Sequence, residues 1–259
     1  MSLAQKIYKV LQSYFTIEGR KLSQLKKAPR FIEGTVSLGG KVWHYCDAPS
    51  FAWQYDEIMQ RGIYDFNGMS TSARIIDCGA NIGTSVLFFA KKFPTARITA
   101  FEPDGKVFAC LQKNVETNKL LNIDLQKAAV YNKNGKLSFS AQGADGGRLS
   151  NIGTTIVNCV RLKDYLQEPI DFLKIDIEGA ETEVIVDCAE QLRNVKNCFI
   201  EYHGFENETD SLHVILACLH DAGLRYCLES VTVHHQKPFV KRVDFEGFKN
   251  LINIYAWRL

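Results

Sequence analysis

The run Ile75-Ile76-Asp77-Cys78-Gly79-Ala80-Asn81-Ile82-Gly83-Thr84-Ser85-Val86-Leu87-Phe88-Phe89-Ala90 sets the architecture of the chain. Apolar residues lead into Asp77, a glycine-containing loop follows, and Val86, Phe89, Ala90 and Phe93 then recur at spacings of three and four. A short strand, a tight turn and an amphipathic helix make one βα unit. Ile98-Thr99-Ala100-Phe101-Glu102 repeats the strand, and Asp104 is a good N-cap for a second helix carrying Val107, Cys110, Leu111 and Val115 on one face. Two such units in succession predict a parallel sheet with crossover helices.

Further along the chain, residues 123–130 read as a third strand running through Asn132-Lys133-Asn134-Gly135, a hairpin turn, into Lys136-Leu137-Ser138-Phe139-Ser140. A Gly-rich loop (Gly143 to Gly153) and a strand over residues 154–160 precede the return of the βα rhythm at residues 172–176. The helix that follows carries Val184, Ile185, Cys188, Ala189 and Leu192, residues 197–203 form a fifth core strand, and residues 210–222 form a helix stopped by Gly223. Residues 224–233 and 251–257 are expected to pair antiparallel, with the final strand available at a sheet edge for pairing between two copies. Upstream, a helix, a strand pair around residues 35–46 and a helix over Phe51 to Arg61 form a cap. The expected partition is an extension over 1–70 and a main domain over 71–259.

With 259 residues, 46% hydrophobic and 23% charged, the chain has the composition of a globular protein with a sizeable core, which excludes disordered, collagen-like and coiled-coil readings. Lys plus Arg (31) nearly balances Asp plus Glu (29), so no nucleic-acid partner is expected. Residues 1–30 are nonetheless basic, with Lys6, Lys9, Arg20, Lys21, Lys26, Lys27 and Arg30 against Glu18. The eight cysteines lack C-x-x-C spacing and mostly sit in apolar stretches, which fits a reducing compartment. No stretch of 18 apolar residues and no signal-peptide core occurs, so a cytoplasmic chain without a transmembrane segment is expected.

Two constellations carry chemistry. The loop Gly79-Ala80-Asn81-Ile82-Gly83 lacks the middle glycine of a dinucleotide site, which disfavours a pyrophosphate. Glu102, ending the second strand, is placed to accept hydrogen bonds from the ribose hydroxyls of a nucleoside without phosphates. Asp176 and Glu178 share a strand face if that strand persists, as do Glu201 and His203, and both pairs fall at carboxyl ends, where open α/β sheets bind ligands. Lys174 shares the face of Asp176 and is its expected partner. Glu178 and Glu181 also suit the positive end of the next helix. His203, titrating near neutrality and oriented by Glu201, is the favoured general base, with Asp176 as the alternative. The same four groups, Asp176, Glu178, Glu201 and His203, have enough donors for a divalent metal, although no tightly bound metal is expected.

The motifs IIDCGANIGTSVLFFA (75–90), ITAFEPD (98–104), FLKIDIEGAETEVI (172–185) and FIEYHG (199–204), in that order, resemble the FkbM-type family of S-adenosylmethionine-dependent methyltransferases. The resemblance spans roughly residues 60 to 205, and KIDIEGAE is its most specific part. It implies a class I Rossmann-like α/β fold, a mostly parallel seven-stranded sheet with helices on both faces, plus an N-terminal cap extension. It further implies S-adenosylmethionine at the first loop and, usually, O-methylation of a sugar, glycan precursor or secondary metabolite. Asp77, Gly79, Asn81, Gly83 and Glu102 match the family's cofactor motif, with Ala80 and Pro103 beside them, and Asp176 is also expected to face the cofactor. Two departures stand out. Lys163 in RLKDYL (161–166) replaces a typically acidic residue, and KAAVYN (127–132) offers no carboxylate for the adenine amino group, leaving backbone around Ala128 and Ala129 to recognise it. The competing readings are a catalytically silent cofactor-binding interaction protein and a metal-assisted hydrolase built on the carboxylate–histidine cluster. Calorimetry with S-adenosylhomocysteine and methyl transfer to a hydroxyl library separate the three.

Overall fold

A computed structural model describes residues 16–66, 73–141, 143, 147–149, 153, 155–205, 209–231 and 248–259. Lys6, Lys9, part of the Gly-rich loop and the connection 232–247 lie outside the described residues. The central sheet has seven strands in the order β12-β13-β11-β10-β3-β4-β5, comprising Arg225–Ser230, Phe248–Trp257, Val195–Phe205, Ile170–Ile175, Arg74–Cys78, Arg97–Phe101 and Ile123–Gln126. The last five run parallel, and β13 is antiparallel to both its neighbours. From β3 the chain winds through β4 to β5 on one side, then returns to β10 and β11 on the other. The crevice at the carboxyl end of β3 is therefore the switch point where such sheets bind ligands.

Local sequence accounts for these elements. Ile75, Ile76, Asp77 and Cys78 of β3 are all buried, because a central parallel strand is covered on both faces. Gly83 opens α3 (Thr84–Lys92), whose Val86 and Phe89 are fully buried. Asp104 caps α4 (Gly105–Thr117) by accepting from the Lys106 and Val107 backbone N–H groups at 2.8 and 3.3 Å. After β10 comes α5 (Glu181–Asp187), which stops five residues before Leu192; Leu192 sits instead in a following 3₁₀ turn. The next helix, α6 (Leu212–Asp221), ends at Gly223 in the left-handed conformation, as its sequence predicts.

Three expectations are corrected. The third strand is broken at Gln126: the Ala128 N–H bonds the Gln126 carbonyl at 2.9 Å, a tight turn that throws Ala129–Tyr131 (β6) into a separate sheet. That sheet has the order β6-β9-β7-β8, with β7 at Gly135–Ser140, β8 at Arg148–Leu149 and β9 at Thr155–Arg161. The turn at 132–135 thus joins strands that do not pair with each other. β9 inserts between them, and the Asn134 Oδ1 accepts the Arg161 N–H at 2.8 Å, binding the turn to β9. Finally, β13 lies inside the sheet and the edge belongs to β12, whose six residues are exposed, so the last strand has no free edge.

The N-terminal region packs onto the sheet's helical layer. It comprises α1 (Ile17–Leu25), the hairpin β1 (Gly34–Leu38) and β2 (Lys41–Tyr45), and α2 (Ala48–Gln54), which continues as a π-helix over Tyr55–Arg61. Trp43, Phe51 and Tyr55 form an aromatic knot, with Trp43–Phe51 centroids 5.5 Å apart, and share a core with Ile82, Leu87, Val107 and Cys110. The wide π turns bring Glu57, Ile58 and Arg61 to the crevice.

Candidate active site

At the carboxyl ends of β3, β4, β10 and β11 lies a cleft of about 760 Å³, within the usual range for small-molecule sites. One wall is the first loop. Gly79 has φ +82°, and a Cβ there would overlap the Asp176 carbonyl oxygen, so the loop passes against β10 only as glycine. Gly79→Ala is therefore expected to lower stability by at least about 1–3 kcal/mol, read as a lower urea midpoint. An unchanged midpoint would show that the loop relaxes freely. Asn81, also left-handed at φ 51°, donates its N–H to Glu102 at 3.1 Å, and Asp104 N–H meets the other carboxylate oxygen at 2.8 Å. Burial pushes the Glu102 carboxyl up to about 8 against these two bonds.

Of the residues singled out in the sequence, Gly79, Ala80, Asn81, Glu102, Pro103, Ala129, Asp176, Glu201 and His203 line this cleft. Asp77 and Gly83 do not. Asp77 is fully buried behind the loop, accepting from the Ser85 hydroxyl and facing Lys174 at 3.3 Å. Gly83 meets the side chain of Leu111 from α4. Both shape the loop from behind.

Lys174 joins the two constellations. Its ammonium, almost fully buried, lies 3.3 Å from Asp77 and 3.2 Å from Asp176 and donates to the Gly79 carbonyl at 2.8 Å. Burial alone would lower its pKa, but Asp176 and Asp77 override this and hold it well above the ordinary lysine value. Asp176, pushed up by burial, is brought below the usual range by Lys174 and then His203.

Strand β10 ends at Ile175, so Asp176 and Glu178 do not alternate on one face; Glu178 is left-handed at φ 60° and turns the chain. That turn brings Asp176, Glu178 and His203 together. His203 is held differently from the sequence expectation. Its Nδ1 meets Glu181, not Glu201, at 3.0 Å, while Nε2 faces Glu178 at 3.5 Å and Glu201 at 3.8 Å. Burial disfavours the charged ring, yet Glu181 and then the other two carboxylates raise its pKa well above the ordinary value. Burial and Asp176 together raise the Glu201 carboxyl well above its usual range.

Sequence reasoning left Glu181 at the helix start. It is 1% exposed, and besides His203 it accepts the Ile177 and Gly179 N–H groups at 3.3 and 3.0 Å, clamping the whole turn. Its spacing of three from Glu178 gave no signal for a partner on another strand. The cap's contribution was also missed: Arg30, Phe31, Trp53, Glu57 and Arg61 line the far side of the cleft.

The sequence profile of the methyltransferase FkbM domain matches residues 77–226. Methyltransferase sdnD of Sordaria araneosa is 30% identical over 185 residues, covering 54% of this chain and 71% of that protein. The 2-O-methyltransferase NoeI of Sinorhizobium fredii (strain NBRC 101917 / NGR234) is 28% identical over 153 residues, covering 49% of this chain and 62% of NoeI, so the match spans less than two thirds of that relative. The crystal structure of methyltransferase FkbM from Methylobacillus flagellatus KT aligns with a TM-score of 0.48 at 18% identity, over 73% of this chain and 45% of that one.

Proposed function

Because this chain belongs to the FkbM methyltransferase family and its cofactor is S-adenosylmethionine, we propose that it methylates a hydroxyl oxygen of a saccharide or other small hydroxylated metabolite. The observation that carries this reading is one cleft with two different ends. The first loop and Glu102 suit a nucleoside, and the Asp176–Glu201–His203 cluster stands beside them at the ends of the next strands. The 2-O-methyltransferase activity in the name of NoeI supports oxygen as the accepting atom.

The cleft's donors and acceptors fit the cofactor. Glu102 faces it with a buried carboxyl, Ala128 and Ala129 offer backbone for adenine, and a glycine permits the close approach of the loop. In this reading Asn81, Glu102, Pro103 and Ala129 hold the nucleoside with the backbone of Gly79 and Ala80, and Asp77 and Gly83 fix the loop. When bound, the cofactor supplies a methyl group already activated by its sulfonium, leaving the protein to orient and deprotonate the acceptor. Asp176, held by Lys174, orients the acceptor hydroxyl. The ring of His203 has Nδ1 tied to Glu181 and Nε2 facing Glu178, which gives the base role to Glu201, a cleft-lining carboxyl whose contact with His203 is the longest of the three. Trp53, 58% exposed beside Glu57 and Arg61, offers an apolar face and polar partners to a sugar ring. No nucleic-acid partner is proposed, and pairing of two copies would use the exposed edge β12. No helix among the described residues is long and apolar enough to cross a membrane, and all eight cysteines are free, which supports a cytoplasmic setting.

The test is transfer of label from methyl-labelled S-adenosylmethionine to saccharide hydroxyls. Alkali-stable ether label is expected, and label that alkali removes as an ester would contradict the hydroxyl assignment. A second expectation concerns Glu102. With its carboxyl pushed up to about 8, Glu102 favours its protonated form in the free protein at lower pH, whereas two ribose donors favour the ionised carboxylate, so S-adenosylhomocysteine binding should release up to one proton. Affinity then rises with pH up to about 8. Binding enthalpies at pH 7 should differ between buffers of different ionisation enthalpy; identical enthalpies would remove Glu102 from the ribose.

A further inference from the structure

We propose that Asp176, Glu178 and His203 form a site for one divalent cation of the Mn²⁺ or Mg²⁺ class at the acceptor end of the cleft. One ligand atom from each residue lies within 4.8 Å of the other two. Ligands about 2.1 Å from such an ion sit ~3.0 Å apart when adjacent and ~4.2 Å when opposite, so a small contraction completes the site. The three come from different parts of the chain: the end of β10, the left-handed turn after it, and β11.

The histidine is presented as a ligand. Glu181 takes Nδ1 at 3.0 Å and leaves Nε2 turned toward Glu178, 3.5 Å away, and Glu201, 3.8 Å away. A carboxylate behind the ring is the usual outer support of a metal-bound imidazole, fixing its orientation. A bound ion would take the lone pair of Nε2 on the neutral ring. Two carboxylates and one imidazole favour a hard ion that tolerates nitrogen, hence Mn²⁺ or Mg²⁺ over Ca²⁺.

A separate observation points the same way. Asn253 pairs across the sheet with Glu201, which puts both side chains on the cleft face. It is 7% exposed, and its Oδ1 has no hydrogen-bond partner among the described residues. Water on a cation in this cluster would supply a donor to an oxygen that otherwise lacks one. The neighbourhood is also rich in acceptors: Glu178, Glu181 and Glu201 surround one imidazole, while Lys174 is shared between Asp176 and Asp77.

The ion's role rests on the methyl-transfer reading; its binding does not. With the acceptor hydroxyl as a further ligand, the ion would acidify the O–H. The proton passes to Glu201 as the oxygen–methyl bond forms and the methyl–sulfur bond breaks, with the ion's charge unchanged.

The experiment titrates the chelator-treated full chain with Mn²⁺ alone, reading free Mn²⁺ by electron paramagnetic resonance, with neither cofactor nor acceptor present. One Mn²⁺ per chain is expected, competed by Mg²⁺. Affinity should fall at least about tenfold in Glu178→Gln and Asp176→Asn, by about 10- to 100-fold in Glu181→Gln, and not at all in Glu183→Gln. Glu178 turns the chain at the cleft surface, so its variant tests the site even where the more buried ones unfold. Folded wild-type chain that takes up no Mn²⁺ at millimolar concentration overturns the proposal, as does binding unchanged in Glu178→Gln. In a separate assay with cofactor and acceptor, methyl transfer unchanged by the chelator would keep the site and overturn the reading of its role.

Discussion

Lys174→Met is expected to cost about 3–5 kcal/mol of folding stability, more than any other single change outside the apolar core. The side chain is 2% exposed and its ammonium is the cation between two carboxylates, Asp77, fully buried, and Asp176. It also donates to the Gly79 carbonyl at 2.8 Å, tying the first loop to β10. Met keeps most of the volume and removes the charge, so the cost is that of buried carboxylates left without compensation and not that of a cavity. The double variant Lys174→Met/Asp77→Asn should recover part of the loss, because one uncompensated charge disappears with its partner. Urea denaturation reads both. A loss below about 1 kcal/mol in the single variant would show that water reaches the triad.

The second large effect is on turnover. Glu201→Gln should lower methyl transfer about 10²–10⁴-fold while S-adenosylhomocysteine affinity stays within a few-fold of wild type. Glutamine preserves the volume and the hydrogen-bonding outline but takes no proton. The cofactor half of the cleft, built from the first loop and Glu102, does not include this side chain. Equal losses in affinity and turnover would indicate a collapsed cleft. Turnover near wild type would move the base to Asp176 or leave positioning as sufficient. His203→Asn is less decisive, since it also strips the buried Glu181 of its imidazole partner.

Much of this architecture was legible in the chain because local chemistry and tertiary demand agree. The position of β3, the Asp104 cap, Gly223 and the pairing of Lys174 with Asp176 follow from apolar runs, capping residues and strand alternation. The reading failed where a residue answers to a distant partner. Strand periodicity carried the third strand past Gln126 because nothing in residues 127–130 announces a change of sheet. The hairpin turn was read from its own residues, whereas Asn134 is committed to β9, 27 residues ahead. In the candidate site, alternation puts Asp176 with Glu178 on a strand that ends one residue too early, and nearness in sequence points to Glu201 as the residue that orients His203. Glu181 fills that role from a helix start 22 residues away, a pairing that only the packing of α5 against β11 creates.

In the proposed reading the cofactor is held at the carboxyl ends of β3 and β4 with its ribose on Glu102. The direct measurement is calorimetric S-adenosylhomocysteine binding to wild type and to Glu102→Ala, with folding of the variant checked by circular dichroism. Ribose donors left without their carboxylate should weaken binding by about 1.5–3 kcal/mol, or about 10- to 150-fold. Unchanged affinity in a folded variant would contradict the claim.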